Sequence, residues 1–167
     1  MQASLKQWRD WSFNSRGRFR GWRRLTPQTL EQVPPGPGVY LLAWPQPQTA
    51  PTPRPLGRLL AEDPHGILDI GEAIHLQTRL TRLRDCCAQQ GVEGHMAGWR
   101  LGTLRLLKRL GVAAEDLLVD WHEVADKDEA YEWEGWLLRT YFQIFGELPP
   151  LNYKFNWSAF SEDELGL

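Results

Sequence analysis

The chain has 167 residues, 42% of them apolar, with nine tryptophans and a formal net charge of −2 at pH 7. That is enough for one domain with a real core, and no apolar run approaches the length of a membrane span. The charge is unevenly placed: residues 1–24 carry seven Lys/Arg against one Asp, residues 76–114 seven against two, and residues 115–147 ten Asp/Glu against two. A chain so divided can present a basic face for phosphates beside an acidic face, although each run taken alone also reads as a solvated helix surface.

Residues 1–30 form an Arg/Trp-rich N-terminal extension in which Trp8, Trp11, Phe13, Phe19 and Trp22 interleave with arginines. Such mixing suits aromatics packed on the body with guanidinium groups turned outward, and equally suits contact with nucleic acid. Thr26 as N-cap with Pro27 at the first position predicts a short helical turn over 26–31. The Pro/Gly run from Val33 to Gly38 then breaks the chain and starts a strand at Val39. Val39, Leu41 and Ala43 fall on one face and Tyr40, Leu42 and Trp44 on the other.

Residues 44–66 are rich in proline and read as a long loop with one helical turn over 56–61. A second strand follows at 66–71, with Ile67, Asp69 and Gly71 on one face and Leu68 and Ile70 on the other. Leu76, Leu80, Leu83 and Cys87 recur at helical spacing and predict a helix over 74–90. A further helix is expected over 97–110, closed by Gly111, and a third strand over 117–122. The last helix, 127–145, is capped by Asp126 with Glu129 and stopped by Gly146. Residues 156–167 form an acidic tail. The order implies an α+β fold, a small antiparallel three-stranded sheet flanked by helices.

Cys86 and Cys87 are adjacent on a helix, so their side chains diverge and neither pair nor build a metal site. The segment Met1 to Lys6 carries no hydrophobic signal region, and a reduced, cytoplasmic setting without membrane contact is the expectation.

Four segments recur in a telling order: Pro37-Gly38-Val39-Tyr40-Leu41-Leu42; Ile67-Leu68-Asp69-Ile70-Gly71-Glu72-Ala73 running into Leu76-Gln77-Thr78-Arg79-Leu80; Ala130 to Leu138; and Leu148-Pro149-Pro150-Leu151-Asn152. With these the chain resembles the GIY-YIG nuclease superfamily across residues 31–155. The resemblance implies a divalent-metal-dependent endonuclease that hydrolyses phosphodiester bonds, with DNA favoured over RNA. It places Tyr40 at the attacking water as base or relay, Arg79 on the scissile phosphate, and Asn152 as a residue that fixes the site. It gives Glu134 a single Mg2+ or Mn2+ ion to hold, and hard oxygen ligands suit that ion. Gly71 matches the bare position where phosphate approaches the backbone. His75, one turn before Arg79, and Arg82 join it as candidate substrate contacts.

Glu134 shares a helix stripe with Ala130 and Leu138 and so looks inward, where an unpaired carboxylate is expensive. A metal would relieve that cost, and so would a buried ion pair with Arg79. The main departure is Asp69, which stands where the second motif has tyrosine. A carboxylate there is a second metal ligand opposite Glu134, a base acting on water, or the mark of a site that binds without cutting. Glu72 adds negative charge where many relatives carry Lys or Arg. The alternative function is therefore a catalytically degenerate module that binds nucleic acid or a protein partner, the latter through the acidic region. His95 sits in a glycine-rich turn, where functional residues collect, with its role open.

Overall fold

The computed structural model describes residues 5–10, 19, 21–46, 50–90 and 94–153. The acidic tail and the aromatic–arginine stretch 11–18 lie outside the described residues. The chain opens with α1 (Leu5–Asp10), β1 (Arg23–Arg24) and α2 (Pro27–Leu30), the last capped as expected by the Thr26 hydroxyl accepting from the Thr29 amide. The strand β2 (Gly38–Ala43) leads into a small hairpin, β3 (Leu56–Gly57) and β4 (Glu62–Asp63). Then come β5 (Ile67–Ala73), α3 (Leu76–Cys87), α4 (Met96–Thr103), α5 (Leu106–Arg109), β6 (Leu118–Glu123) and α6 (Lys127–Phe145).

The main sheet is antiparallel with strand order β1-β6-β2-β5, so it has four strands where the sequence predicted three. The extra strand is Arg23–Arg24, which pairs with Val119 and Leu118 at the edge of β6. Two residues are too few to show a strand's alternation, so composition alone places them in an extension.

Central β2 is buried on both faces, and its alternation holds. Val39, Leu41 and Ala43 pack in the layer beneath α6, with Leu137, Leu138 and Tyr141. Tyr40, Leu42 and Trp44 pack in the opposite layer with Leu80, Leu83 and Leu101 of α3 and α4. The strict alternation expected for β5 does not hold. The β2–β5 register shifts between Leu42 and Ala43, leaving Leu68 as an extra residue. Ile67 therefore joins Ile70 on the α6 side while Leu68 turns to the α3 side, a β-bulge in effect.

Two local readings also change. The helical turn expected at 56–61 is instead the β3–β4 hairpin, because Pro53 and Pro55 hold its approach extended. The helix expected over 97–110 is broken into α4 and α5 at Arg105, whose φ of 55 lies in the left-handed region. By contrast α6 begins and ends where expected. Asp126 Oδ1 accepts from the Glu129 amide, Glu129 Oε2 accepts from the Ala125 amide, and Gly146 at φ 73 closes the helix.

Asp63 ties the extension to the body. Its carboxylate is fully buried and accepts from Trp8 Nε1 (3.1 Å), the His65 amide (3.0 Å), the Ile67 amide (2.7 Å) and the Tyr141 hydroxyl (3.2 Å). Trp8 itself is fully buried, edge-on to Tyr141 and Phe145. No helix among the described residues is long and apolar enough to cross a membrane.

Candidate functional site

The site forms where β5, the edge strand, is approached from both layers. From β2, Tyr40 lies opposite Gly71 in register, and its ring crosses the bare Cα there; any side chain at position 71 collides with the phenol. The hydroxyl thereby reaches Asp69 on the same strand, donating to Oδ2 at 2.7 Å. It also lies 3.1 Å from His95 Nε2.

His95 is the N-cap of α4, its Nδ1 accepting from the Gly98 amide at 3.3 Å. An accepting Nδ1 carries no proton, so the neutral ring bears its hydrogen on Nε2. The hydrogen bonds then run one way, from His95 Nε2–H to Tyr40, and from the Tyr40 hydroxyl to Asp69. Burial, and then the Arg79 charge, push His95 down to about 3, which keeps that ring neutral. Burial and the Asp69 carboxylate hold the Tyr40 phenol well above its ordinary value, against the pull of Arg79. A phenol so placed is a donor rather than a base. Burial raises Asp69 to about 6, although the Tyr40 hydrogen bond and the Arg79 and Arg100 charges work against it.

On the other face of β5, Glu72 looks toward α6 and Glu134. The Glu134 carboxyl is raised to about 7, first by burial and then by the charges of Glu72 and Asp69, with the Glu72 backbone N–H working against the rise. Glu72 Oε2 is buried without a hydrogen-bond partner, and so is Arg79 Nε. Arg79 is anchored instead through Nη1, which donates to the Gly94 carbonyl at 3.2 Å. No ion pair joins Arg79 to Glu134, so the purely structural pairing considered for them is not formed.

Asn152 closes the strand edge. Its Oδ1 accepts from the Ile70 amide at 2.9 Å and its Nδ2 donates to the Ile70 carbonyl at 2.8 Å, as a neighbouring strand would. The Leu151 amide donates to Leu68 O at 2.9 Å. Asn152 is thus a positioning residue for the stretch that bears Asp69 and Glu72.

These groups line one pocket of about 270 Å³. Tyr40, Asp69, Gly71, Arg79, Glu134 and Asn152, drawn from distant segments, all border it, together with Glu72 and His95. His75 and Arg82 do not; both are exposed, His75 at the N-cap of α3 and Arg82 on the helix. Sequence reasoning missed the part His95 plays. Its place ahead of a helix was a capping signal, but nothing local connects it to a tyrosine 55 residues away.

Among the described residues no three His, Cys, Asp or Glu side chains are grouped to hold a metal ion. What the pocket offers is a carboxylate pair, Glu72 and Glu134, with one buried oxygen unpartnered and one carboxyl raised by burial and then by the other's charge. That donor set fits a hard cation such as Mg2+, which keeps several of its waters and takes one or two carboxylates. No family model, curated protein or solved structure matches this chain.

Proposed function

We propose that the protein is a GIY-YIG-like, divalent-metal-dependent nuclease that hydrolyses phosphodiester bonds, DNA before RNA. The observation that carries this reading is the convergence of a phenol, a guanidinium, three carboxylates and an imidazole on a single small pocket. Hydrolysis of a phosphodiester needs a base for water, positive charge on the non-bridging oxygens and a rigid frame for both.

Asp69 is the base. Held near 6, it is ionised at neutral pH yet basic enough to accept a proton from water, as general bases require. Tyr40, kept protonated, donates to Oδ2 and aims the carboxylate, and His95 fixes Tyr40 in turn. Arg79 meets the phosphate; its guanidinium is always charged and has an unpartnered N–H. Glu134, assisted by Glu72, would hold one Mg2+ or Mn2+. When bound, that ion supplies Lewis-acid stabilisation of charge on the phosphoryl oxygens. This assigns the base to the residue that departs from the second motif and makes the first-motif tyrosine its support.

The competing reading, a module that binds without cutting, draws on Asp69, which stands where the second motif has tyrosine. The two separate on labelled single- and double-stranded DNA and RNA incubated with Mg2+, with Mn2+ and with chelator. Metal-dependent cleavage by wild type, abolished in Glu134→Gln, is the expected result. Equal behaviour of wild type and Glu134→Gln removes the nuclease reading.

A further inference from the structure

The mouth of the pocket carries a surface that the hydrolytic groups leave unused. Tyr153 lines the pocket, yet 59% of its surface is exposed. The Arg100 guanidinium carbon lies 5.3 Å from the centre of its ring, a cation–π contact. The same guanidinium is tethered, Nη1 donating to the Leu151 carbonyl at 3.2 Å. The ring is thus backed by a charge fixed to the segment that bears Asn152, and it needs little ordering to act as a platform.

Met96 lines the same rim and is 47% exposed; Trp99, 46% exposed, follows on α4. Met96, Trp99 and Arg100 stand at i, i+3 and i+4 and share a helix face. Arg79 also lines the pocket, so one pocket is bordered by the Tyr153 ring and by a second guanidinium group. Rings stack on bases whatever their identity, and guanidinium groups take phosphates, which is how proteins track single strands.

The geometry points to a nucleobase subsite on Tyr153, where the base of an unpaired nucleotide stacks while its phosphate enters the pocket toward Arg79. It rests on the nuclease reading and narrows its substrate to single-stranded, frayed or flapped nucleic acid. Bases inside an intact duplex are stacked on one another and offer no face to the ring unless extruded at a cost.

The experiment is an anisotropy titration with labelled oligothymidylate, and with an abasic oligomer of equal length, both in chelator so that nothing is cut. Tyr153→Ala should weaken oligothymidylate binding about tenfold, the scale of one base stacked on an aromatic ring, and Tyr153→Trp should restore it. The abasic oligomer should bind wild type and Tyr153→Ala alike. Equal binding of oligothymidylate by wild type and Tyr153→Ala overturns the subsite, as does an equal loss for the abasic oligomer. No measurable binding of oligothymidylate by wild type overturns it as well. A parallel cleavage assay with Mg2+ keeps the two claims apart. Cleavage with Tyr153-independent binding sinks the subsite alone, and Tyr153-dependent base binding without cleavage sinks the hydrolase alone.

Discussion

Asp63 and Asp69 stand on either side of the start of β5, both buried, yet their surroundings are opposite. Asp63 accepts from four donors, two backbone amides, an indole and a phenol, and joins α1, β5 and α6. Asp69 accepts one hydrogen bond, from Tyr40, and borders a pocket where Glu72 and Arg79 each keep a buried polar atom unpartnered. A buried carboxylate with its lone pairs filled holds elements together. One left under-satisfied beside other charges is available for chemistry.

The sharpest way to break that contrast is to neutralise each aspartate in turn. Asp69→Asn should reduce the cleavage rate by about 10²–10⁴-fold, the usual worth of a positioned base, without lowering thermal stability. An unchanged rate would move the base elsewhere in the pocket. Asp63→Asn should do the reverse. It turns an acceptor into a donor facing buried N–H and O–H groups, and should cost about 3 kcal/mol in denaturant unfolding while cleavage per folded molecule holds. Wild-type stability in that variant would remove Asp63 from its structural role.

A subtler division concerns pH. Asp69 at about 6 and Glu134 at about 7 bind their protons more tightly folded than unfolded. Their contribution to stability is therefore complete below the ordinary carboxylate range and is lost as pH rises through about 6 and then about 7. The loss should be on the order of 5 kcal/mol between pH 4 and 7.5, and Asp69→Asn with Glu134→Gln should flatten it. Cleavage, needing ionised Asp69, should rise over the same window, so activity and stability run in opposite directions. Coincident rise of both would refute the assignment. The smallest effect is that of the cation on folding. Mg2+ tenfold above its dissociation constant should add about 1.4 kcal/mol, or about 3–6 °C in the melting temperature, and Glu134→Gln should erase the shift.

What the sequence made legible was local. The ends of α6 are written in Asp126, Glu129 and Gly146, and Thr26 announces α2, because a cap is satisfied within a few residues. The two faces of β2 follow from alternation. The gathering of Tyr40, Arg79, Glu134 and Asn152 was legible only through resemblance, since no spacing rule connects them. Harder still were features set by partners far along the chain. Arg23–Arg24 becomes a strand only because β6 offers an edge. The bulge at Leu68 exists in the pairing with β2, not in the segment itself. Glu72 reads as a stray charge until α6 brings Glu134 over it.

The closure of β5 has a wider consequence. Leu151 engages Leu68 and the Asn152 amide engages both polar groups of Ile70, so the outer rail of that strand is occupied from Leu68 to Ile70. On the opposite flank the sheet stops at a strand only two residues long, both arginines. Along Leu68 to Ile70 the β5 margin offers a second copy of the chain no run of vacant amides and carbonyls on which to lengthen the sheet. The frame of the pocket thus doubles as a guard against ribbon-like self-association at β5.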